Sequence, residues 1–125
     1  MEEKTLASPE EIGRVSGNLN KVLDELGALL LGQKRLHKMA LVGIAARGHI
    51  LLEGLPGVGK TALVKALGGL LKLDFNRIQF TPDLMPGDIL GTNILQENES
   101  GRKEMVFQHG PVFTNILLAD EINRA

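Results

Sequence analysis

The stretch Gly54-Leu55-Pro56-Gly57-Val58-Gly59-Lys60-Thr61 decides how this sequence is interpreted. It matches the pattern G-x-x-x-x-G-K-[ST] at every fixed position. A run at residues 49–53 that is apolar in its centre precedes it and has the length of a buried strand, while leucines at helical spacing follow it from Lys60 onward. A strand, a glycine-rich loop and a helix in this order form a phosphate-binding loop.

Each part of this loop has a physical role in holding phosphate. Glycines let successive backbone N–H groups face inward around phosphate oxygens, and the start of the helix aims its positive dipole end at the same anion. Lys60 supplies an ammonium group for the outer phosphates, and the Thr61 hydroxyl is placed to ligate Mg²⁺. A glycine-rich turn with a surface lysine is the alternative, but a chance match is rare in a chain of this length. The predicted nucleotide contacts in this segment are Gly54, Leu55, Pro56, Gly57, Val58, Gly59, Lys60, Thr61 and Ala62.

A pair of acidic residues, Asp120 and Glu121, follows a second apolar run at residues 116–119. Ligands of open parallel sheets bind at the carboxyl ends of the strands. We therefore predict that Asp120 holds Mg²⁺ through its water and that Glu121 polarises the water that attacks the terminal phosphate. Neighbouring strand residues point to opposite faces, so the pair can divide these roles only because the strand ends there. A solvated acidic turn is the alternative, and the phosphate loop upstream favours the metal-and-base interpretation.

The residues around this pair separate the classes of phosphate-loop protein. A GTPase has D-x-x-G after the strand and a base-recognising N-K-x-D elsewhere, whereas residues 120–123 are Asp-Glu-Ile-Asn and no N-K-x-D occurs. A small-molecule kinase shares the loop but does not need a glutamate beside the metal aspartate. The sequence therefore has neither GTPase feature, and a small-molecule kinase remains an alternative.

Composition excludes several other classes of protein. The 125 residues carry 14 Lys and Arg against 15 Asp and Glu, so no basic surplus exists for nucleic-acid or membrane-surface binding. Cysteine is absent, which excludes disulfide scaffolds and thiolate zinc sites. The polar first residues lack the pattern of a secretory signal, and no apolar run approaches the ~20 residues of a membrane span. We expect a cytoplasmic protein.

Local signals outline two helices before the loop. Ser8, Pro9 and Glu11 form a helix start with a capping box, and an apolar stripe follows at steps of three and four. A second helix is predicted over residues 33–47, with Gly48 as its left-handed stop. The stripe of the first helix comprises Ile12, Val15, Leu19, Val22, Leu26 and Leu29.

Strand and turn signals dominate after the helix that begins at the loop. Residues 75–80 alternate in polarity and predict a strand, and residues 81–88 carry turn chemistry. Residues 98–101 lie between two β-type runs, at 93–96 and 105–108, and predict an exposed hairpin. Strands that alternate with helices indicate an α/β protein with parallel pairing.

Several sequence blocks together resemble the MoxR-type AAA+ ATPases. They occur in the order found in that family and extend from about Gly32 to the last residue. Their combination is far more specific than the phosphate loop alone. One departure is Gly87, which stands where a small polar residue such as serine is expected. The blocks are residues 52–61, 77–86, 110–113 and 118–125.

The resemblance implies a P-loop NTPase of the AAA+ type: a three-layer α/β fold around a parallel sheet, with an N-terminal helical pair and a small β-hairpin insertion. It implies an ATP-driven, Mg²⁺-dependent, chaperone-like remodeller. Such proteins assemble into homo-oligomeric rings and act on partners that include proteins with a von Willebrand factor A domain. The resemblance also puts Gly32 and Gln33 near the adenine, and residues 88–108 in an insertion that faces the ring pore or partners. Two interpretations of Arg124 stay open: contact with a neighbouring subunit's nucleotide or a partner, and a solvated residue after a strand.

The family continues beyond the acidic pair with a sensor strand, an arginine finger, another core strand and a helical lid, none of which this sequence contains. We therefore expect residues 1–125 to be a partial AAA+ core, with helices over 1–48 and the loop, hairpin and acidic strand over 49–125. The strand at 49–53 would lose both neighbours, so we expect marginal stability or direct pairing of this strand with the one at 116–119. Hydrolysis is expected to be slow, since an arginine finger contributes about 10³ to 10⁵ in rate. A non-hydrolysing interaction module that joins a full-length relative through the first helix or the hairpin stays an alternative.

Overall fold

The computed structural model of the chain describes residues 6–54 and 59–125. The chain divides into two compact units, Met1–Leu71 and Lys72–Ala125. None of the helices in the described residues has the length and apolar character needed to cross a membrane. The first unit contains helices α1 (Pro9–Leu29), α2 (Lys34–Ala45) and α3 (Lys60–Leu71). The second contains strands β1 (Phe75–Gln79), β2 (Gly91–Glu97), β3 (Lys103–His109) and β4 (Ile116–Asp120), the short helix α4 (Pro86–Leu90) and a 3₁₀ turn (Ile122–Arg124).

Helix α1 begins with the predicted capping box. The Glu11 N–H donates to the Ser8 hydroxyl at 3.2 Å, and the Ser8 N–H donates back to the Glu11 carboxylate at 2.8 Å. The Ser8 hydroxyl also donates to this carboxylate, at 3.0 Å. The bond from the backbone N–H, followed by the bond from the hydroxyl, lowers the pKa of Glu11 below its ordinary value of 4.5.

The core of the first unit lies where α2 and α3 pack against α1. Leu26 of α1 is fully buried, and two of the helically spaced leucines of α3, Leu63 and Leu67, are buried in the same cluster. The ends of the predicted stripe are exposed: Ile12 is 58% exposed and Leu29 is 62% exposed. A helix of 21 residues is about 31 Å long, whereas α2 and α3, with 12 residues each, are about 18 Å long, so neither of them alone can cover all of α1.

Helix α2 ends in a Schellman motif. The N–H of Gly48 donates to the carbonyl of Gly43 at 2.9 Å, and the N–H of Arg47 donates to the carbonyl of Ile44 at 3.0 Å. Arg47 has the left-handed conformation, with a φ of 52°, and Gly48 does not. The left-handed stop predicted at Gly48 is therefore wrong by one residue, because this hydrogen bonding ends the helix at Ala45.

The strand predicted at residues 49–53 does not form among the described residues. Within residues 6–54 and 59–125, β4 has β1 as its only hydrogen-bonded neighbour, so the expected direct pairing of 49–53 with 116–119 is not observed either. Leu51 is 76% exposed. An apolar run becomes a strand only when a neighbour bonds its N–H and C=O groups, and no strand in the described ranges does so here.

Strands β1 and β4 pair in parallel, as the order of elements predicts. Gln79 is aligned with Asp120. Ile78, the residue before Gln79 in β1, is buried. The loop before β4 is tied to β1, because the Asn76 side-chain amide donates to the Pro111 carbonyl at 3.1 Å. This register fixes the end of β4 beside the end of β1.

The connection from β1 to β2 contains a helix where the sequence predicts only turns. Pro86 stands at the start of α4, and the Met85 N–H donates to the Asp88 carboxylate at 2.9 Å. Proline at the first position and an acidic residue in the first turn both stabilise a helix start. The same residues that signal a turn therefore begin this five-residue helix.

Strands β2 and β3 form the predicted antiparallel hairpin, which is longer than predicted at both ends. Its base is built on two glycines. Gly91 has a φ of 101°, and a Cβ there would collide with the carbonyl oxygen of Gln108. A Cβ at Gly110 would collide with the carbonyl oxygen of Ile89. The backbones at this base approach too closely for any other residue type.

Candidate functional site

The two ends of the predicted phosphate loop lie close together. The Lys60 ammonium donates to the carbonyl oxygen of Gly54 at 3.4 Å, which joins the loop across its ends. Gly59 has a φ of 78°, a left-handed conformation that glycine adopts without strain. The remaining predicted contacts of this loop lie outside the described residues: Leu55, Pro56, Gly57 and Val58.

The start of α3 presents backbone N–H groups next to this loop. Lys60, Thr61 and Ala62 are its first three residues, and the N–H of Leu63 donates to the carbonyl of Gly59 at 2.9 Å. The first N–H groups of a helix have no carbonyl partner within it, and they carry the positive end of the dipole. Together with the Lys60 ammonium, this end of α3 has the donors and the charge that a phosphate group needs.

Gly32 and Gln33 lead into α2 in a left-handed conformation, with φ values of 84° and 53°. The Gln33 side chain makes no capping bond to the helix. It lines an open depression of about 410 Å³ together with Arg35, Leu36 and Met39. The family resemblance predicts only Gly32 and Gln33 at this place. The i, i+3 spacing of Leu36 and Met39 indicates that these two apolar side chains lie on the same side of α2.

Asp120 is the last residue of β4, and its side chain is held from the neighbouring strand. The Arg77 guanidinium donates to Asp120 Oδ2 at 2.6 Å. The Asp120 side chain is 24% exposed and that of Arg77 is 43% exposed, so the pair lies at the surface of the sheet. The sequence reasoning missed Arg77. Its signal was the period of two that puts Arg77 and Gln79 on one face of β1, next to the predicted metal aspartate.

Glu121 leaves the strand geometry immediately after Asp120. Its backbone is left-handed, with φ of 54° and ψ of 39°, and it precedes the 3₁₀ turn. Arg124 contacts it twice: its N–H donates to the Glu121 carbonyl at 2.9 Å, and its Nε lies 3.0 Å from Glu121 Oε2. The Arg124 side chain is 65% exposed, which agrees with the interpretation as a solvated residue after a strand. It is also ion-paired with Glu121, the predicted base.

The predicted site residues are distributed over both units. Asp120 and Glu121 are in the second unit. Mg²⁺ is bound in proteins by one or two carboxylates together with phosphate oxygens and water. Thr61 and Asp120 are hard oxygen donors of this kind, and no cluster of three or more His, Asp or Glu that could hold a metal occurs within 6–54 and 59–125. The described predicted residues of the first unit are Gly32, Gln33, Gly54, Gly59, Lys60, Thr61 and Ala62.

Comparison with known proteins defines the class of this fold. A family model described as "ATPase family associated with various cellular activities (AAA)" matches residues 49–125. The crystal structure of a proposed ATPase from Cytophaga hutchinsonii is 41% identical, with a TM-score of 0.63, over 91% of this chain and 36% of that one. The fold is therefore that of an AAA-type P-loop NTPase, with a parallel strand pair and packed helices.

Named relatives define the type within this class. Chaperone MoxR1 of Mycobacterium tuberculosis is 48% identical over 86% of this chain and 28% of its own length. Protein MoxR of Methylorubrum extorquens is 36% identical over 81% of this chain and 30% of its own length. This chain belongs to the MoxR-type AAA+ ATPases, and it spans about a third or less of the length of these curated relatives.

Proposed function

We propose that this chain binds ATP with Mg²⁺ and supplies the nucleotide-binding part of a MoxR-like chaperone ATPase. The observation that carries the proposal is the geometry at the start of α3. There the Lys60 ammonium donates to the Gly54 carbonyl, and Lys60 is the first residue of the helix. An anion with several charged oxygens matches these donors, and a nucleotide triphosphate is such an anion.

The roles of the polar residues follow from their chemistry. Lys60 binds the outer phosphates, and Thr61 and Asp120 serve Mg²⁺, which neutralises phosphate charge when bound. Glu121 acts as a general base, which accepts a proton from the attacking water. Gln33 borders the depression beside α2, whose apolar surface suits the adenine. We further propose that residues 1–125 form part of an AAA+ core that acts on partner proteins as a homo-oligomeric ring in the cytoplasm.

A titration with a fluorescent ATP analogue tests the binding proposal. Lys60→Ala removes a charge-assisted hydrogen bond, worth about 1.5 to 3 kcal/mol, so we expect affinity to fall roughly ten- to 150-fold. Lys65→Ala is the matched control, because Lys65 is an exposed lysine on the same helix, five residues further along. Equal affinities of the unchanged chain and Lys60→Ala would refute the proposal.

An interaction module without hydrolysis is the second candidate function. It is supported by apolar side chains that stay exposed on the hairpin, where Leu95 is 61% exposed and its cross-strand partner Met105 is 64% exposed. This function predicts no ATP turnover together with co-purification of a full-length ring-forming relative. A chain that hydrolyses ATP alone would reject it, and ADP release that depends on a small phosphate acceptor would instead indicate a P-loop kinase.

A further inference from the structure

Each of the two proposed site carboxylates, Asp120 and Glu121, forms an ion pair with an arginine. Arg77 donates to Asp120 at 2.6 Å, and Arg124 lies 3.0 Å from Glu121. The two ion pairs involve neighbouring residues at the end of one strand. Two carboxylates alone would have a charge of −2, but these four groups together sum to zero.

The backbone builds both pairs into the fold. The β1–β4 register aligns Gln79 with Asp120, so Arg77, two residues earlier, shares the sheet face of the aspartate. The Arg77 guanidinium also donates to Gln79 Oε1 at 3.4 Å, which holds it toward this end of the strand. Arg124 is placed by the 3₁₀ turn, whose i, i+3 geometry brings its side chain back over Glu121.

We propose that Arg77 and Arg124 neutralise the carboxylate pair in the nucleotide-free chain, so that it does not capture a divalent cation by itself. This inference rests on the proposed function of Asp120 and Glu121. A cation that approaches the free chain meets a cluster of zero net charge, in which Asp120 Oδ2 is already bonded to the Arg77 guanidinium. The phosphates of a nucleotide supply the negative charge that the cluster lacks, so the cation enters as the metal–nucleotide complex.

Mn²⁺ binding to the nucleotide-free full chain tests this role, with free Mn²⁺ followed by electron paramagnetic resonance at low salt. Arg77→Gln and Arg124→Gln should each tighten Mn²⁺ binding about two- to fivefold, which is the range that an exposed ion pair is worth. Arg77→Lys keeps the charge and should stay close to the unchanged chain. Arg102→Gln is the matched control: it removes an exposed arginine from the hairpin of the same unit and should leave Mn²⁺ affinity unchanged.

A second substitution tests whether the gain in Mn²⁺ affinity depends on Asp120. Adding Asp120→Asn to Arg77→Gln should abolish the gain, and a gain that persists would show Mn²⁺ bound elsewhere and overturn the proposal. Arg77→Gln and Arg124→Gln that bind Mn²⁺ no tighter than Arg102→Gln would overturn it as well. If circular dichroism shows that Arg77→Gln is unfolded, Arg124→Gln decides alone, because Arg124 lies outside the sheet.

The nucleotide assay separates this inference from the proposed function. Equal ATP-analogue affinity of the unchanged chain and Lys60→Ala rejects nucleotide binding whatever Mn²⁺ does. Loss of ATP-analogue binding in Lys60→Ala, with unchanged Mn²⁺ affinity in both arginine variants, rejects only the neutralising role of the arginines.

Discussion

Leu26→Ala should be the most destabilising single truncation on α1. Leu26 is 0% exposed and lies in one cluster with Leu63 and Leu67 of α3. The change removes apolar groups worth about 2 kcal/mol of transfer free energy, and the cavity left behind raises the cost to roughly 3 to 5 kcal/mol. A chain of this length has a free energy of unfolding of about 6 to 19 kcal/mol, so the loss is a large fraction of the total.

Urea unfolding followed by circular dichroism at 222 nm measures this cost. The signal reports on the first unit, because α1, α2 and α3 all belong to it. Leu29→Ala is the matched control on the same helix, since Leu29 is 62% exposed and its truncation should cost less than about 1 kcal/mol. Because Leu63 and Leu67 belong to the helix that begins at Lys60, Leu26→Ala should also weaken ATP-analogue binding. Equal urea midpoints and slopes for the two variants would refute the assignment of the core.

Three further predictions follow from the backbone and the helix start. Arg47→Gly should raise the free energy of unfolding by up to about 1 kcal/mol, because glycine adopts the left-handed conformation of this position without strain; a loss of stability in urea would contradict the Schellman assignment. The lowered pKa of Glu11 means that its contribution to stability is present above pH 4.5 and is lost as pH falls through the lowered value. Glu11→Gln should therefore flatten the fall in melting temperature at acid pH, and identical acid profiles would argue against the capping box. Amides of residues 50–53 should exchange with deuterium much faster than those of β4, and equal protection would show that the segment has a strand partner.

The elements that the sequence predicts well are those with local physical causes. The capping box at Ser8 and Glu11 fixes the start of α1 through hydrogen bonds three residues apart, so no distant contact is needed. The hairpin is similarly local, since the turn at 98–101 joins its two strands directly. The parallel pairing of β1 and β4 followed from the order of elements, because parallel strands need a long connection.

The features that the sequence does not predict depend on partners far away in the chain. The apolar run at 49–53 has strand composition, but a ladder requires a neighbour, which no described strand provides. Arg77 was missed because its contact with Asp120 depends on the register between strands that are about 40 residues apart. The left-handed residue at the end of α2 is Arg47 and not the predicted Gly48. The conformational preference of glycine does not decide the position, because the closing hydrogen bonds of the helix put the left-handed conformation at Arg47.

The two carboxylates at the end of β4 differ in their backbone positions, and this difference supports a division of labour between them. The Asp120 backbone belongs to the sheet, since its carbonyl accepts a hydrogen bond from the Phe80 N–H at 2.9 Å, and its side chain is ion-paired with Arg77 of the neighbouring strand. Glu121 lies in the turn that follows the strand, and turning either carboxylate side chain breaks one surface ion pair, at a cost of about 0 to 1 kcal/mol. A metal ligand must stay in place while phosphates enter, whereas a general base must follow the water that it activates. The aspartate at the end of the strand fits the first task and the glutamate at the start of the turn fits the second, so their backbone positions support the proposed assignment.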